Sequence, residues 1–363
     1  MLGKLVSPTP FSSDLSRRSH PILVVAGVVA LLLTFAAGAA AHPAAQAGQK
    51  KKQRISIYWG AYMEGPATYG GGHQNAPWDD GTWRTFESHA GKRPSIVHWG
   101  VPAPWDQSFN AQLSQHRKIL RAGALELLSM SSGSTPLHDI AAGKYDSPIL
   151  TWAKQARAFG HPLFLRWDWE MNGTWFPWAT TAGKQPVADF VAAWRHMHDL
   201  FTSVGAKNVN WVWCPNVAFN GSTPYGQLYP GPTYVDWTCL DGYNKGGQYS
   251  TSFRNLFASS YHALLALAPK KPIMIAETAS VEDSGKKASW ITNALASLPS
   301  HFPRIKAFVW FNWNISEDGT TYQWPIESSP AALAAFEHGI AAPYVAPAAT
   351  FKLPKRMTAI SPP

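Results

Sequence analysis

Cysteine is scarce: the 363-residue chain carries two, Cys214 and Cys239. Two cysteines cannot staple a chain of this length, so a buried core has to hold it together rather than a disulfide framework. Both fall in neighbouring β-rich segments, where spacing alone does not decide whether they bond. Charge is scarce as well. Asp, Glu, Lys and Arg make up 15% of the residues against 45% hydrophobic, a balance that excludes wholesale disorder. The net charge of +9 is spread out, and its dense run is Lys50, Lys51, Lys52 and Arg54, read as a solvated linker. No basic stripe interleaved with aromatics appears, so no nucleic-acid partner is expected. Gly70-Gly71-Gly72 lacks the Lys-Ser/Thr of a phosphate loop. Met130-Ser131-Ser132-Gly133 has no glycine at the offset a nucleophile elbow needs. His196 and His198 stand two apart on a predicted helix, face different sides and cannot share a metal. Neither a cofactor nor a metal is expected.

What the chain has in excess is aromatic rings, with 18 Trp and 12 Tyr. A core absorbs about two thirds of such a set, and the remainder suits stacking against sugar rings. Residues 1–41 are set aside from the fold. A basic stretch with Arg17 and Arg18 precedes an apolar run from Ile22 to Ala41 that ends in small residues. This is the pattern of a secretory signal peptide, with an uncleaved signal-anchor over 22–41 as the alternative. Either places the following residues outside the cytoplasm. Residues 42–53 read as a linker and 342–363 as a loosely attached, proline-rich tail.

Between them, short β-rich runs alternate with helix-length segments, which predicts parallel strands joined by crossover helices. The runs are Ile55–Trp59, Ser95–Trp99, Leu125–Ser129, Leu163–Trp167, Asn210–Trp213, Trp237–Leu240, Ile273–Ala276 and Ala307–Trp310. Apolar spacing of three and four marks helices over Val187–Val204, Phe253–Leu267, Ala288–Leu298 and Ala331–Ile340. Eight strands with no glycine-rich phosphate fingerprint favour closure into a (β/α)8 TIM barrel over 54–341, a single catalytic domain read as a monomer. In such a barrel the chemistry sits at the C-terminal ends of the strands.

The fourth strand runs into Arg166-Trp167-Asp168-Trp169-Glu170-Met171-Asn172-Gly173-Thr174-Trp175-Phe176-Pro177-Trp178. Charges among so many indoles are costly unless paired or used. An Arg–carboxylate latch at the barrel top accounts for Arg166 and Asp168 as readily as catalysis does. The seventh strand ends in Glu277, 107 positions after Glu170 and three strand–helix units on, so both glutamates stand at one level of one ring. Facing carboxylates are what glycosidic cleavage requires: one protonated to assist the leaving oxygen, the other ionised. The rings around Glu170 should raise its pKa and make it the acid. Glu277 needs donors to stay charged, and Tyr243, in Asp241-Gly242-Tyr243-Asn244, is the nearest candidate. His98, at the end of the second strand, is either a substrate contact or a packed ring.

The Glu170-Met171-Asn172-Gly173-Thr174-Trp175 segment resembles the acid/base segment of glycoside hydrolase family 26, the β-mannanase family. Asp139–Asp146, Trp211-Val212-Trp213-Cys214-Pro215-Asn216, Asp241–Asn244 and the Glu277 strand are similar to that family in order, over most of Ile55–Ala341. The resemblance implies a retaining double displacement with Glu170 as acid/base and Glu277 as nucleophile held by Tyr243. It implies that Trp175 lines the leaving-group side and that Trp310 floors the sugar being cleaved. Arg166, Trp169, Trp178 and Asn216 are further expected substrate contacts. Trp59, Trp105, Trp213, Trp313 and Trp324 are candidate subsites, of which two or three are expected to serve. One position departs from the family. Trp169 stands where a histidine usually precedes the acid/base, and an indole has one donor and no acceptor. A polysaccharide is therefore the expected partner. An endo-acting hydrolase of β-1,4-mannan leads, mixed-linkage β-glucan and β-1,3-xylan stay open, and a catalytically inactive sugar-binding barrel is the competitor from another class.

Overall fold

A computed structural model describes residues 56–64, 75–317 and 319–348; the expected signal segment and linker lie outside these. Eight parallel strands follow one another around a barrel: β1 (Ile57–Met63), β2 (Ile96–Val101), β3 (Leu125–Met130), β4 (Leu163–Trp167), β5 (Val209–Trp213), β6 (Trp237–Asn244), β7 (Ile273–Ser280) and β8 (Ile305–Asn312). Each pairs with the next, and β8 closes on β1 over six positions, Tyr58↔Ala307 to Met63↔Asn312. All eight predicted strands are present. They run two to four residues further at their C-terminal ends in β1, β2, β6, β7 and β8, because those residues leave the apolar core and carry the polar mouth.

The surrounding helices are α1 (Asp80–Ala90), α2 (Leu113–Arg121), α3 (Leu137–Ala141), α4 (Asp146–Phe159), α5 (Val187–Ser203), α6 (Tyr225–Leu228), α7 (Phe253–Leu267), α8 (Lys287–His301) and α9 (Pro330–Ile340). Their ends are written locally. Asp79 accepts from the Gly81 and Thr82 amides at the start of α1, and Ser252 and Ser329 cap α7 and α9 in the same way. Gly91 and Gly160 end α1 and α4 in the left-handed conformation.

Strand alternation produces two apolar layers. Tyr58, Ile96, Leu127, Phe164, Val212, Trp237, Met274, Ala307 and Val309 fill the barrel. A larger layer between sheet and helices takes most of the indoles. Thirteen of the 18 tryptophans are buried, so five retain a face for a ligand: Trp78, Trp105, Trp169, Trp175 and Trp313. Cys214 and Cys239, side by side inside the barrel, form a disulfide.

Two features lie beyond the sequence pattern. After β8 the chain makes a hairpin, β9 (Asn314–Glu317) with β10 (Thr320–Gln323). The segment read as a loose tail is bound at its start. Val345–Ala346 forms β11, parallel to the first residues of β1, while Lys92 donates to the carbonyls of Ile340 and Val345 at 2.8 and 2.5 Å. Val345 joins the outer layer and Ala346 the barrel interior, burial that a two-residue strand does not advertise by periodicity. Among the described residues no helix is long and apolar enough to cross a membrane.

Candidate active site

Glu170 follows β4 through a backbone that L-residues resist. Asp168 and Glu170 have φ of 42° and 53°, each costing roughly 1–2 kcal/mol. The turn is held from both sides, with the Asp168 amide donating to Met130 O at 2.9 Å and the Glu170 amide to Cys214 O at 2.7 Å. Asp168 Oδ1 also accepts from the Ser132 amide at 2.6 Å, so Asp168 is a buried brace beside the site. The strain is spent on aiming the Glu170 side chain across the mouth.

Asn216 Nδ2 donates to Glu170 Oε1 at 2.7 Å and Trp175 Nε1 to Oε2 at 2.5 Å. The Asn216 backbone is itself clamped by Asn172, which accepts from its amide at 2.8 Å and donates to its carbonyl at 3.0 Å. Gly173 has a distinct reason. A Cβ there would meet Trp175 Cζ2 at 2.6 Å, so the missing side chain lets the indole fold back onto Glu170. The Glu-Met-Asn-Gly-x-Trp pattern is thus one device for holding a carboxyl.

Glu277 reaches the same mouth by a bulge. Ile275 pairs with Leu240, and both face the helices. Glu277, two residues later, should face the same way, yet it pairs with Asp241, which lies inside the barrel. The extra residue, Ala276, appears as a register shift against both β6 and β8, and it turns the carboxylate inward. There Arg166 Nη2 donates to Glu277 Oε1 and the Tyr243 hydroxyl to Oε2, both at 2.5 Å. Arg166 Nη1 also donates to Asp241 Oδ1 at 3.3 Å.

One oxygen each from Glu170, Asp241 and Glu277 lies within 4.8 Å of the others, around the Arg166 guanidinium. Three carboxylates against one guanidinium cannot all be ionised in a buried site. Burial, and then the charge of Glu277, push Glu170 up to about 7, against the donors Asn216 and Trp175 and the charge of Arg166. Asp241 is pushed well above its usual range by burial, then by Glu277 and Glu170, with Arg166 opposing. Burial opposes the charge on Arg166, but Asp241, Glu277 and Glu170 together outweigh it and raise its pKa. Tyr243 is raised by burial and by Glu277, so it remains a donor. A proton is therefore retained on Glu170, while Glu277 receives one donor on each oxygen, one of them from the Arg166 cation.

Trp169 is half-buried beside this cluster, with the Arg166 guanidinium 5.0 Å from its ring centre and the edges of Phe176 and Trp178 against it. Trp178 is not a sugar platform. It is 4% exposed, stacks on Phe176 at 4.4 Å and donates to the Trp169 carbonyl, so it supports Trp169 from behind. His98 lies on the inner face below the mouth, bound to Ser129 Oγ at 2.7 Å and edge-on to Tyr62. Burial and then Arg166 keep it neutral.

Trp310 is displaced from its expected place. It stands on the helix side of β8 against Phe336 of α9 and Trp290 of α8, and donates to the Trp324 carbonyl. Ala307 and Val309 face inward, so by alternation the next inward residue is Phe311. Phe311 stacks on Tyr62 at 5.0 Å, meets Tyr243 edge-on and approaches Trp313 at 6.0 Å. Tyr62 and Phe311 were missed by motif reading, although the period-two rule applied to β8 would have found Phe311. Of the five candidate subsite tryptophans, Trp59, Trp213 and Trp324 are fully buried, leaving Trp105 and Trp313.

Residues 140–298, which contain both glutamates, match the model of glycosyl hydrolase family 26. Over 269 residues, 71% of this chain, the sequence is 36% identical to endoglucanase H of Acetivibrio thermocellus. Over 138 residues, 36% of the chain, it is 32% identical to a mannan endo-1,4-β-mannosidase of Bacillus subtilis. These alignments span 29% and 34% of the two relatives, so the chain corresponds to about a third of each. The fold is similar to that of a family 26 β-mannanase from Bacteroides ovatus, with a TM-score of 0.60 at 19% identity, covering 83% of this chain and 93% of the other. With the barrel, the family match and the paired glutamates at its mouth in agreement, the matched part of this chain, residues 140–298, belongs to glycosyl hydrolase family 26.

Proposed function

We propose that the chain is a retaining endo-β-glycanase. Glu170 protonates the departing glycosidic oxygen while Glu277 attacks the anomeric carbon, and Glu170 then deprotonates the water that releases the glycosyl ester. The observation that carries this reading is the approach of the two carboxyls. Their nearest oxygens lie within 4.8 Å, close to the about 5–5.5 Å of retaining pairs and short of the about 6.5–9.5 Å that leaves room for a water in inverting ones. Arg166 and Tyr243 orient the nucleophile, and Asn216 and Trp175 the acid. Tyr62, Phe311 and Trp313 form an aromatic wall beside Glu277 for the sugar that becomes bound to it.

For the backbone sugar, β-glucan moves ahead of the β-mannan first expected. The relative aligned over most of the chain is named an endoglucanase, and Trp169 offers no acceptor where family mannanases usually carry histidine. A polysaccharide is too large to enter a cell. The enzyme therefore acts outside the cytoplasm, as the N-terminal 41 residues suggest, either secreted or anchored.

The test is proton NMR of the first products from lichenan, glucomannan, galactomannan and β-1,3-xylan. Early accumulation of the β-anomer is expected, and α-anomer first would overturn retention. Glu277→Ala should cut turnover by on the order of 10⁴-fold or more while polysaccharide binding persists. A sugar-binding barrel without activity would have shown no turnover to lose.

A further inference from the structure

We propose that Phe219, with Trp175, forms an outer sugar-binding subsite on the leaving-group side, where Phe219 carries the second sugar beyond the scissile bond. This rests on the reading of Glu170 as the acid. Among the described residues, Trp78, Trp175, Phe219 and Tyr249 are the large apolar side chains left exposed. Trp175 and Phe219, 46% and 39% exposed, are neighbours, with ring centres 5.7 Å apart and planes tilted by 32°. Two adjacent aromatic faces held in water at the edge of a cleft give up burial worth about 25 cal/mol per Å², a loss that a ligand recovers.

The backbone beneath Phe219 is anchored. Ser222 Oγ accepts from the Phe219 amide at 3.2 Å and donates to its carbonyl at 2.8 Å. The Val217 amide donates to Asp241 O at 2.8 Å and the Ala218 amide to Ser260 Oγ at 2.9 Å. The ring is therefore presented by a braced segment that begins at Asn216, which itself binds Glu170.

Position assigns the occupant. Trp175 donates to Glu170 Oε2, so a sugar over its indole is the one whose oxygen receives the proton, and the next sugar along the leaving chain falls on Phe219. The tilt does not suit a flat ribbon lying on both rings, and it fits a chain that twists between successive sugars. Phe219 has no polar tip, so this subsite reads the presence of a second leaving sugar rather than its hydroxyl pattern.

The experiment uses cellohexaose, mannohexaose and a mixed-linkage β-glucan hexasaccharide, each labelled at the reducing end. Phe219→Ala should weaken calorimetric binding to a Glu277→Ala parent about tenfold. In the active chain it should move cleavage toward the labelled end, so that shorter leaving fragments appear, and Phe219→Tyr should restore both. If Phe219→Ala leaves affinity and cleavage position unchanged while the parent chain cleaves normally, the subsite falls and the hydrolase reading stands. If no substrate is cleaved yet binding weakens, a sugar site at Phe219 stands, but its place on a leaving-group side falls with the hydrolase reading. If the parent neither binds nor cleaves any of them, both fall.

Discussion

Arg166 of β4 and Glu277 of β7 meet inside the barrel from strands three places apart, with Nη2 of the arginine 2.5 Å from Oε1 of the glutamate. The same guanidinium bonds Asp241 and lies against the Trp169 ring. One buried cation thus orients Glu277, balances a second carboxylate and supports the indole beside Glu170. Replacing it strands charges that water cannot reach. Arg166→Met should cost about 3–5 kcal/mol of stability, seen as a lower Tm and denaturation midpoint. Arg166→Lys should fold better but lose kcat/KM by about a hundredfold, because an ammonium cannot reproduce the guanidinium fork. Near-normal activity in Arg166→Met would contradict the role given to this contact.

The acid should set the alkaline limb of the pH profile. As the proposed acid, Glu170 must be protonated to act, and with its pKa raised to about 7 kcat/KM should fall tenfold per pH unit above that point. Asn216 and Trp175 donate to the ionised form and hold the value down. Asn216→Ala should therefore lower the maximal rate and move the limb to higher pH. A limb that stays put, or moves down, would assign it to another group.

Asp168 offers a stability test separate from catalysis. Burial, opposed by the Ser132 hydrogen bonds, raises it from 3.8 to about 8. The folded state therefore binds more protons than the unfolded one between those values. Its contribution is complete below pH 3.8 and is lost as pH rises through about 8. The Tm of Asp168→Asn, which keeps an oxygen for the Ser132 amide, should decline less between pH 5 and 8 than that of the parent. Parallel curves would refute the shift.

Trp169 should govern the choice of sugar. Trp169→His would put an acceptor and a second polar edge beside the cleaved sugar. The ratio of glucomannan or galactomannan cleavage to lichenan cleavage should rise by about tenfold, within the about 1–3 kcal/mol that one contact supplies. An unchanged ratio would remove Trp169 from the basis for preferring β-glucan.

Lys287 is a buried amine, lowered by burial to about 7, whose hydrogen bonds serve one loop. Its amine donates to the carbonyls of Gln323, Trp324 and Pro325 and to Ser328 Oγ, at 2.6–3.1 Å. It pins the loop whose Trp324 packs 5.0 Å from Tyr243. Lys287→Met should cost about 3 kcal/mol through unpaired carbonyls, and glycosidase activity at low temperature should fall less than stability does. Loss of activity without loss of stability would place Lys287 in the chemistry.

The amino-acid pattern by itself determined the barrel, the order of its strands and the pair of glutamates. Those rest on local rules: alternation within strands, helical spacing between them, and a motif compact enough that Glu170, Asn172, Gly173 and Trp175 organise one another. Tertiary structure alone decided which way side chains face and what meets across the ring. The bulge at Ala276 turned Glu277 inward, where its own strand's period points it at the helices; β8 has no such shift against β1, so the placing of Phe311 in the cleft and Trp310 outside it was legible in its period of two. The left-handed turns at Asp168 and Glu170 are tolerable because β3 and β5 clamp them, partners far away in the chain. A single inserted residue or a distant carbonyl reverses a face without changing composition or periodicity, so such choices emerge once the strands are paired.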